Sequence, residues 1–163
     1  MSAKRIGILT GGGDVPGLNS VIKSVTYRAA EKGLDVIGIR RGWEGLTHLD
    51  LGDAQSKARY VMPLNRQNTR RIDRSGGTVL HSSRTNPSKM KALPPHLSAS
   101  DFPASQSTKG GKTTTVHDVS KQVLKNLEGL GIEYLIAIGG DDTLSYAARL
   151  HQLGAKVLAI PKT

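Results

Sequence analysis

The chain has 163 residues, a formal net charge of +10, 37% apolar and 22% charged residues. That suffices for one domain with a sizeable buried core and argues against wholesale disorder. No cysteine is present, which excludes disulfides, thiolate metal sites and a cysteine nucleophile, and the first apolar run is too short for a signal segment or a membrane span.

Taken in order, Arg5–Thr10 reads as a short buried strand running into a glycine turn. Leu18, Val21, Ile22, Val25 and Ala29 then recur at helical spacing up to Gly33, and Asp35–Arg40 is a second apolar strand. Strand, helix, strand in this span is a βαβ unit and implies a parallel sheet. Gly76–Leu80 is predicted as a strand of its own. Residues 86–115 hold four of the chain's seven prolines and many Ser, Thr and Lys without an apolar period, so a long flexible surface loop is expected there. Beyond it the first pattern returns. Val119, Val123, Leu127 and Leu130 share a helical face, and Tyr134–Ile138 is a strand. Leu144, Ala147, Ala148 and His151 line a further helix, with His151 expected in core packing, and Lys156–Ile160 closes the series as a strand. The expected fold is a three-layer, doubly wound parallel α/β sheet.

Two glycine turns follow strands and open helices. In Thr10–Asn19 (TGGGDVPGLN), glycines let the backbone approach an anion, and free amides at a helix start donate to phosphate oxygens. The dinucleotide fingerprint fails here, because Pro16 stands where it needs its last glycine and Arg40–Arg41 stand where a ribose-binding acid belongs. In Gly139–Leu144 (GGDDTL), two adjacent carboxylates on a turn suit Mg²⁺, a hard cation that accompanies phosphates, or else serve as helix caps. Both turns should lie at the carboxyl edge of the sheet. Gly110–Thr113 (GGKT) mimics the end of a P-loop, but Gln106 occupies the position of its first glycine and no apolar strand precedes it. The five histidines show no metal-ligand spacing. The charge is concentrated in residues 57–112, which hold eleven basic against two acidic groups. This stretch allows a nucleic-acid-binding module as a rival reading, yet it supplies only Tyr60 and Phe102 as stacking aromatics.

Lys4–Asn19, Gly38–Leu46 (GIRRGWEGL), Gly76–Arg84 (GGTVLHSSR) and Gly139–Thr143, in that order, resemble the N-terminal half of 6-phosphofructokinase, and Pro161–Thr163 resembles the start of that family's P-[GK]-T-[IM]-D-N-D motif. The resemblance implies phosphoryl transfer to the 1-hydroxyl of fructose 6-phosphate, an early step of glycolysis, by a cytoplasmic homo-oligomer. It also implies roles: Gly13 contacts the phosphoryl donor, Trp43 lines the donor pocket, Arg84 steadies donor phosphates and Asp141 binds Mg²⁺. Aspartate at position 142 and lysine at 162 are typical of the pyrophosphate-dependent branch, where ATP users commonly carry glycine. A carboxylate at Asp142 would repel the α-phosphate of a nucleotide, and Lys162 would add positive charge near the transferred group. The alternative is an ATP-dependent member with an unusual aspartate. The wider group of kinases sharing the GGD-[GD]-T turn does not account for the first loop or for Gly76–Arg84. The family's catalytic base, the first Asp of D-N-D, falls just beyond Thr163, and family chains are longer. The sequence is therefore expected to be a truncated N-terminal, donor-binding lobe without turnover of its own, which a pyrophosphate-dependent assay of this polypeptide would test.

Overall fold

The computed structural model describes residues 4–162, except for the side chains of Lys109 and Lys112. Met1–Ala3 and Thr163, the last residue of the PKT motif, lie outside the described residues.

Strand β1 (Arg5–Thr10) runs through the middle of a five-stranded sheet. Helix α1 (Leu18–Glu31) returns the chain to β2 (Asp35–Ile39), which is parallel to β1. Two short helices follow, α2 (Trp43–His48) and α3 (Ala54–Tyr60). The Asp53 carboxylate caps α3 by accepting from the Gln55 and Ser56 amides, at 2.9 and 3.2 Å. Tyr60 leads directly into β3 (Val61–Leu64), which is antiparallel to β2. Pro63 is tolerated in β3 because the strand is an edge. A hairpin of β4 (Ala104–Lys109) and β5 (Lys112–His117) stands apart from the main sheet. Helix α4 (Ser120–Gly129) leads to β6 (Ile132–Gly139), which lies against the other side of β1, and α5 (Asp141–Gln152) leads to β7 (Val157–Pro161) at the far edge. The order is β3-β2-β1-β6-β7. The α/β fold is as expected, with the sheet mixed rather than wholly parallel because β3 reverses.

Alternation along β1 creates the three layers. Leu9 packs with Ile39, Trp43, Leu46, Val123, Leu127, Ala147 and Leu150 under α2, α4 and α5. Ile8, its neighbour, packs with Leu18, Ile22, Ala29, Val36 and Leu80 under α1. Both residues are fully buried, as period-two alternation demands of a strand covered on both faces. The chain leaves β1 toward β2 on one side, while β6 lies on the other. The carboxyl end of β1 is therefore the switch point at which ligands of such sheets gather.

Three expectations change. Gly76–Leu80 is not a strand: its polar groups are taken by loops and side chains instead of a strand ladder. The Val79 amide donates to Asn19 Oδ1 at 2.8 Å, the Arg41 amide to the Leu80 carbonyl at 2.7 Å, and Leu80 is buried over Gly38. The 86–115 segment holds structure of its own. Met90 and Phe102 pack on Val119 with Leu93 and Leu97 alongside, and Met90 and His117 exchange backbone hydrogen bonds of 3.0 and 2.8 Å. Contacts so widely spaced in sequence leave no period to detect. The buried face of α5 is Thr143, Tyr146, Ala147 and Leu150. His151 thus falls off the apolar stripe and is exposed, with Nδ1 against the Ala155 carbonyl at 3.0 Å.

Candidate phosphate-binding site

The two glycine turns meet where β1 and β6 end. The Gly11 amide donates to the Ile138 carbonyl at 2.8 Å, so the first turn leaves β1 while still tied to β6. The Gly12 amide donates to the Ser83 carbonyl at 3.0 Å and Ser82 Oγ donates to the Gly12 carbonyl at 2.7 Å, which fastens the Ser82–Arg84 loop to the same turn. On the other flank, the Lys162 amide donates to the Gly139 carbonyl at 3.0 Å, and its Nζ crosses to the Gly13 carbonyl.

These loops enclose an open cleft of about 510 Å³, lined by Gly12, Gly13, Ser83, Arg84, Thr85, Asn86, Gly140, Asp141, Asp142, Thr143 and Lys162. Of the sequence-predicted site residues, Gly13, Arg84, Asp141, Asp142 and Lys162 are thus brought together. Trp43 is not. It is 1% exposed, behind the first turn of α5, with Nε1 donating to the Thr143 carbonyl at 3.3 Å and its ring edge-on to Tyr146 at 4.8 Å. A large aromatic that can find an apolar partner and a carbonyl together is more stable buried than on a polar cleft. Sequence reasoning did not single out Ser83, Thr85, Asn86 or Thr143. Their signal was adjacency: Ser83 directly precedes Arg84, Thr85 and Asn86 follow it, and Thr143 follows the aspartate pair.

Asp141 and Asp142 occupy the first turn of α5, whose N-cap, Gly140, has no side-chain cap. The pair therefore does not cap the helix by hydrogen bonding. It sits at the positive end of the helix dipole, where carboxylates are stabilised. Both are exposed. Neither forms an ion pair with the lysines or arginines among the described residues. Among the described residues no three His, Asp or Glu side chains converge. Asp141 and Asp142 are the carboxylates this cleft could offer to Mg²⁺, an ion commonly held by one or two carboxylates together with phosphate oxygens and waters.

Behind the turn, Tyr146 is 2% exposed and its hydroxyl donates to Ser120 Oγ at 3.1 Å. Burial pushes that hydroxyl's pKa well above its ordinary 10.0, and the nearby Asp118 charge adds to the rise. A second hollow, of about 370 Å³, opens at the amino end of β6 among Leu124, Leu127, Ile132 and Leu153. Its Glu133 is already engaged by Lys4 and Lys156.

Cations and paired carboxylates thus share a cleft at the switch point of an α/β sheet, a place where ligands of such sheets gather. The molecule's family follows from the sequence profile described as Phosphofructokinase, which matches residues 5–163: the chain belongs to the phosphofructokinase family. It is 39% identical over its whole length to the pyrophosphate–fructose 6-phosphate 1-phosphotransferase of Dictyoglomus thermophilum, covering 37% of that protein. It is 36% identical, over 98% of its length, to the ATP-dependent 6-phosphofructokinase 2 of Clostridium perfringens, again covering 37%. The structure of phosphofructokinase from Saccharomyces cerevisiae superposes on 98% of this chain and 20% of its own, with a TM-score of 0.68 at 18% identity, a likeness of fold. The chain therefore spans little more than a third of the length of the curated relatives it matches.

Proposed function

We propose that this chain binds the phosphoryl donor of a pyrophosphate-dependent 6-phosphofructokinase, in which pyrophosphate phosphorylates the 1-hydroxyl of fructose 6-phosphate to give fructose 1,6-bisphosphate in the cytoplasm. The observation that carries this reading is that Asp142 and Lys162 line the same cleft as Gly13, Arg84 and Asp141. Relatives of both donor types share more than a third of this sequence, so identity alone does not choose between donors. Size does not choose either, since about 510 Å³ admits far more than a pyrophosphate. Charge supports pyrophosphate: it ends where a nucleotide continues into its α-phosphate, and a carboxylate at that point would oppose the longer donor most.

In this reading Gly13 and Arg84 hold the donor phosphates, Asp141 holds Mg²⁺, and Lys162 leaves the Gly13 carbonyl to meet the transferred group. Bound Mg²⁺ would supply charge neutralisation on the phosphates. The protein's own part is positioning and electrostatic stabilisation, since phosphoryl transfer asks for little covalent chemistry from side chains.

Calorimetric titration with pyrophosphate and with ATP, both with Mg²⁺, tests the donor. The chain should bind pyrophosphate at least about tenfold more tightly than ATP, about 1.4 kcal/mol and well inside the roughly 4 kcal/mol of one unscreened unit charge about 4 Å away at a protein surface. Asp142→Gly should close much of that gap by raising ATP affinity. If Asp142→Gly leaves ATP binding unchanged and pyrophosphate binding intact, Asp142 does not select the donor and the ATP-dependent alternative gains.

A further inference from the structure

The glycines of the two turns fall into two kinds. A Cβ built on Gly13 meets nothing within 4 Å, and one on Gly12 would approach only the end of Lys162, 3.7 Å from Nζ. These two keep the cleft open. A Cβ on Gly11 would lie 2.4 Å from Thr143 Oγ1 and 2.8 Å from its Cγ2, and one on Gly139 would lie 2.4 Å from Thr143 Cβ and 2.5 Å from Cγ2. Contacts under 3.0 Å are sterically forbidden, so Gly11 and Gly139 are required because a single side chain fills the space between them. Thr143 is 6% exposed. Its carbonyl is held from behind by the Trp43 indole at 3.3 Å, so it cannot retreat into the core without breaking that bond.

We propose that Thr143 is a positioning residue: a wedge between the two glycine turns that sets the distance from the Gly12–Gly13 backbone to the Asp141–Asp142 carboxylates. This rests on reading the cleft as a donor site and adds the element that keeps its two halves at one spacing. Thr143 is two residues from Asp141 on the same helical turn, and it touches the turn that carries Gly12 and Gly13. A branched β-carbon suits the role because its χ1 is restricted, so the wedge does not rotate out of the gap. Anion sites that grip from two sides depend on such spacing, since misplacement of an ångström can cost orders of magnitude.

Four variants of the whole chain test this, read by pyrophosphate affinity with Mg²⁺ and by hydrogen exchange of the Gly11–Gly13 amides. Thr143→Val keeps the shape and should hold affinity within about threefold, whereas Thr143→Ala removes the wedge and should weaken binding by about tenfold. Gly11→Ala should weaken binding and speed exchange through the clash. Gly11→Ala combined with Thr143→Ala should recover part of both losses, because the new methyl occupies the space the threonine vacates. Three results would overturn the proposal: Thr143→Ala binding like the unchanged chain, Thr143→Val losing as much as Thr143→Ala (the hydroxyl would then act on the donor itself), or a double variant no better than the worse single one. If the unchanged chain binds no pyrophosphate, the functional reading falls. Exchange at Gly11–Gly13 then decides the wedge: faster exchange in each single variant with recovery in the pair supports it, and unchanged exchange overturns it.

Discussion

Asp142, Lys162 and Trp43 show how neighbours decide what a residue type can do. Asp142 and Lys162 project into the cleft from the ends of different elements, and Lys162 bridges to Gly13 across 149 positions of sequence. Trp43, which the resemblance assigned to the cleft wall, instead backs the first turn of α5. Its Nε1–H on the Thr143 carbonyl is a neutral hydrogen bond in a buried setting, worth about 1 kcal/mol net. Trp43→Phe should therefore destabilise the chain by at least that much, read from urea unfolding, with further loss from the smaller ring. As the only tryptophan in the sequence, Trp43 also reports on the turn. Pyrophosphate binding should change its fluorescence emission, while Asp141→Asn, which leaves the indole contacts untouched, should blunt that change. Emission that ignores a saturating, calorimetrically verified pyrophosphate dose would separate Trp43 from the cleft.

Helix α5 joins the site to the core, with carboxylates at its first turn and Tyr146 deep in its buried face. The Tyr146 hydroxyl titrates well above its ordinary 10.0 because burial disfavours the phenolate. A folded-state pKa raised above the unfolded value contributes stability that is complete below about pH 10 and is lost as pH rises beyond it. Tyr146→Phe should cost about 1 kcal/mol at neutral pH through the lost bond to Ser120. Above pH 10 its stability should fall less steeply than that of the unchanged chain, as measured by denaturant unfolding at several pH values. Parallel slopes would mean that Tyr146 ionises freely. At this scale much was legible in the sequence. The strands at Arg5, Asp35, Tyr134 and Lys156 and the three long helices stood out because sustained apolar runs and 3.6-residue periods reflect burial directly. Elements held by sparse or distant contacts did not: α2 and α3 are short, β3 is an edge carrying a proline, and the β4–β5 hairpin is mostly Ser, Thr and Lys. Gly76–Leu80 misled because one buried leucine among β-favouring residues reads the same in a strand and in a loop pinned by Asn19.

Across the whole molecule, the sheet is a platform whose carboxyl edge gathers residues from four stretches of sequence. The glycine turns were legible because small residues between strand and helix carry a physical demand. The wedge at Thr143 was not, because a steric fit between turns far apart in sequence has no local pattern. The basic excess also resolves by position. Arg84 lies on the cleft, while Arg66 pairs with Glu31 and stacks over Tyr27 at 5.1 Å. Tyr60 and Phe102, the two aromatics a nucleic-acid surface would need from the basic stretch, are 7% and 8% exposed and cannot stack on bases. The central claim is that the cleft between the glycine turns takes the phosphoryl donor. Backbone amide chemical shifts, recorded while pyrophosphate and Mg²⁺ are added to the isotopically labelled chain, test it most directly. The largest changes should fall on Gly12, Gly13, Arg84, Gly140–Thr143 and Lys162. Saturable changes confined to the arginine-rich 65–74 stretch or to the leucine-lined hollow at the other end of the sheet, with the glycine turns unmoved, would contradict it.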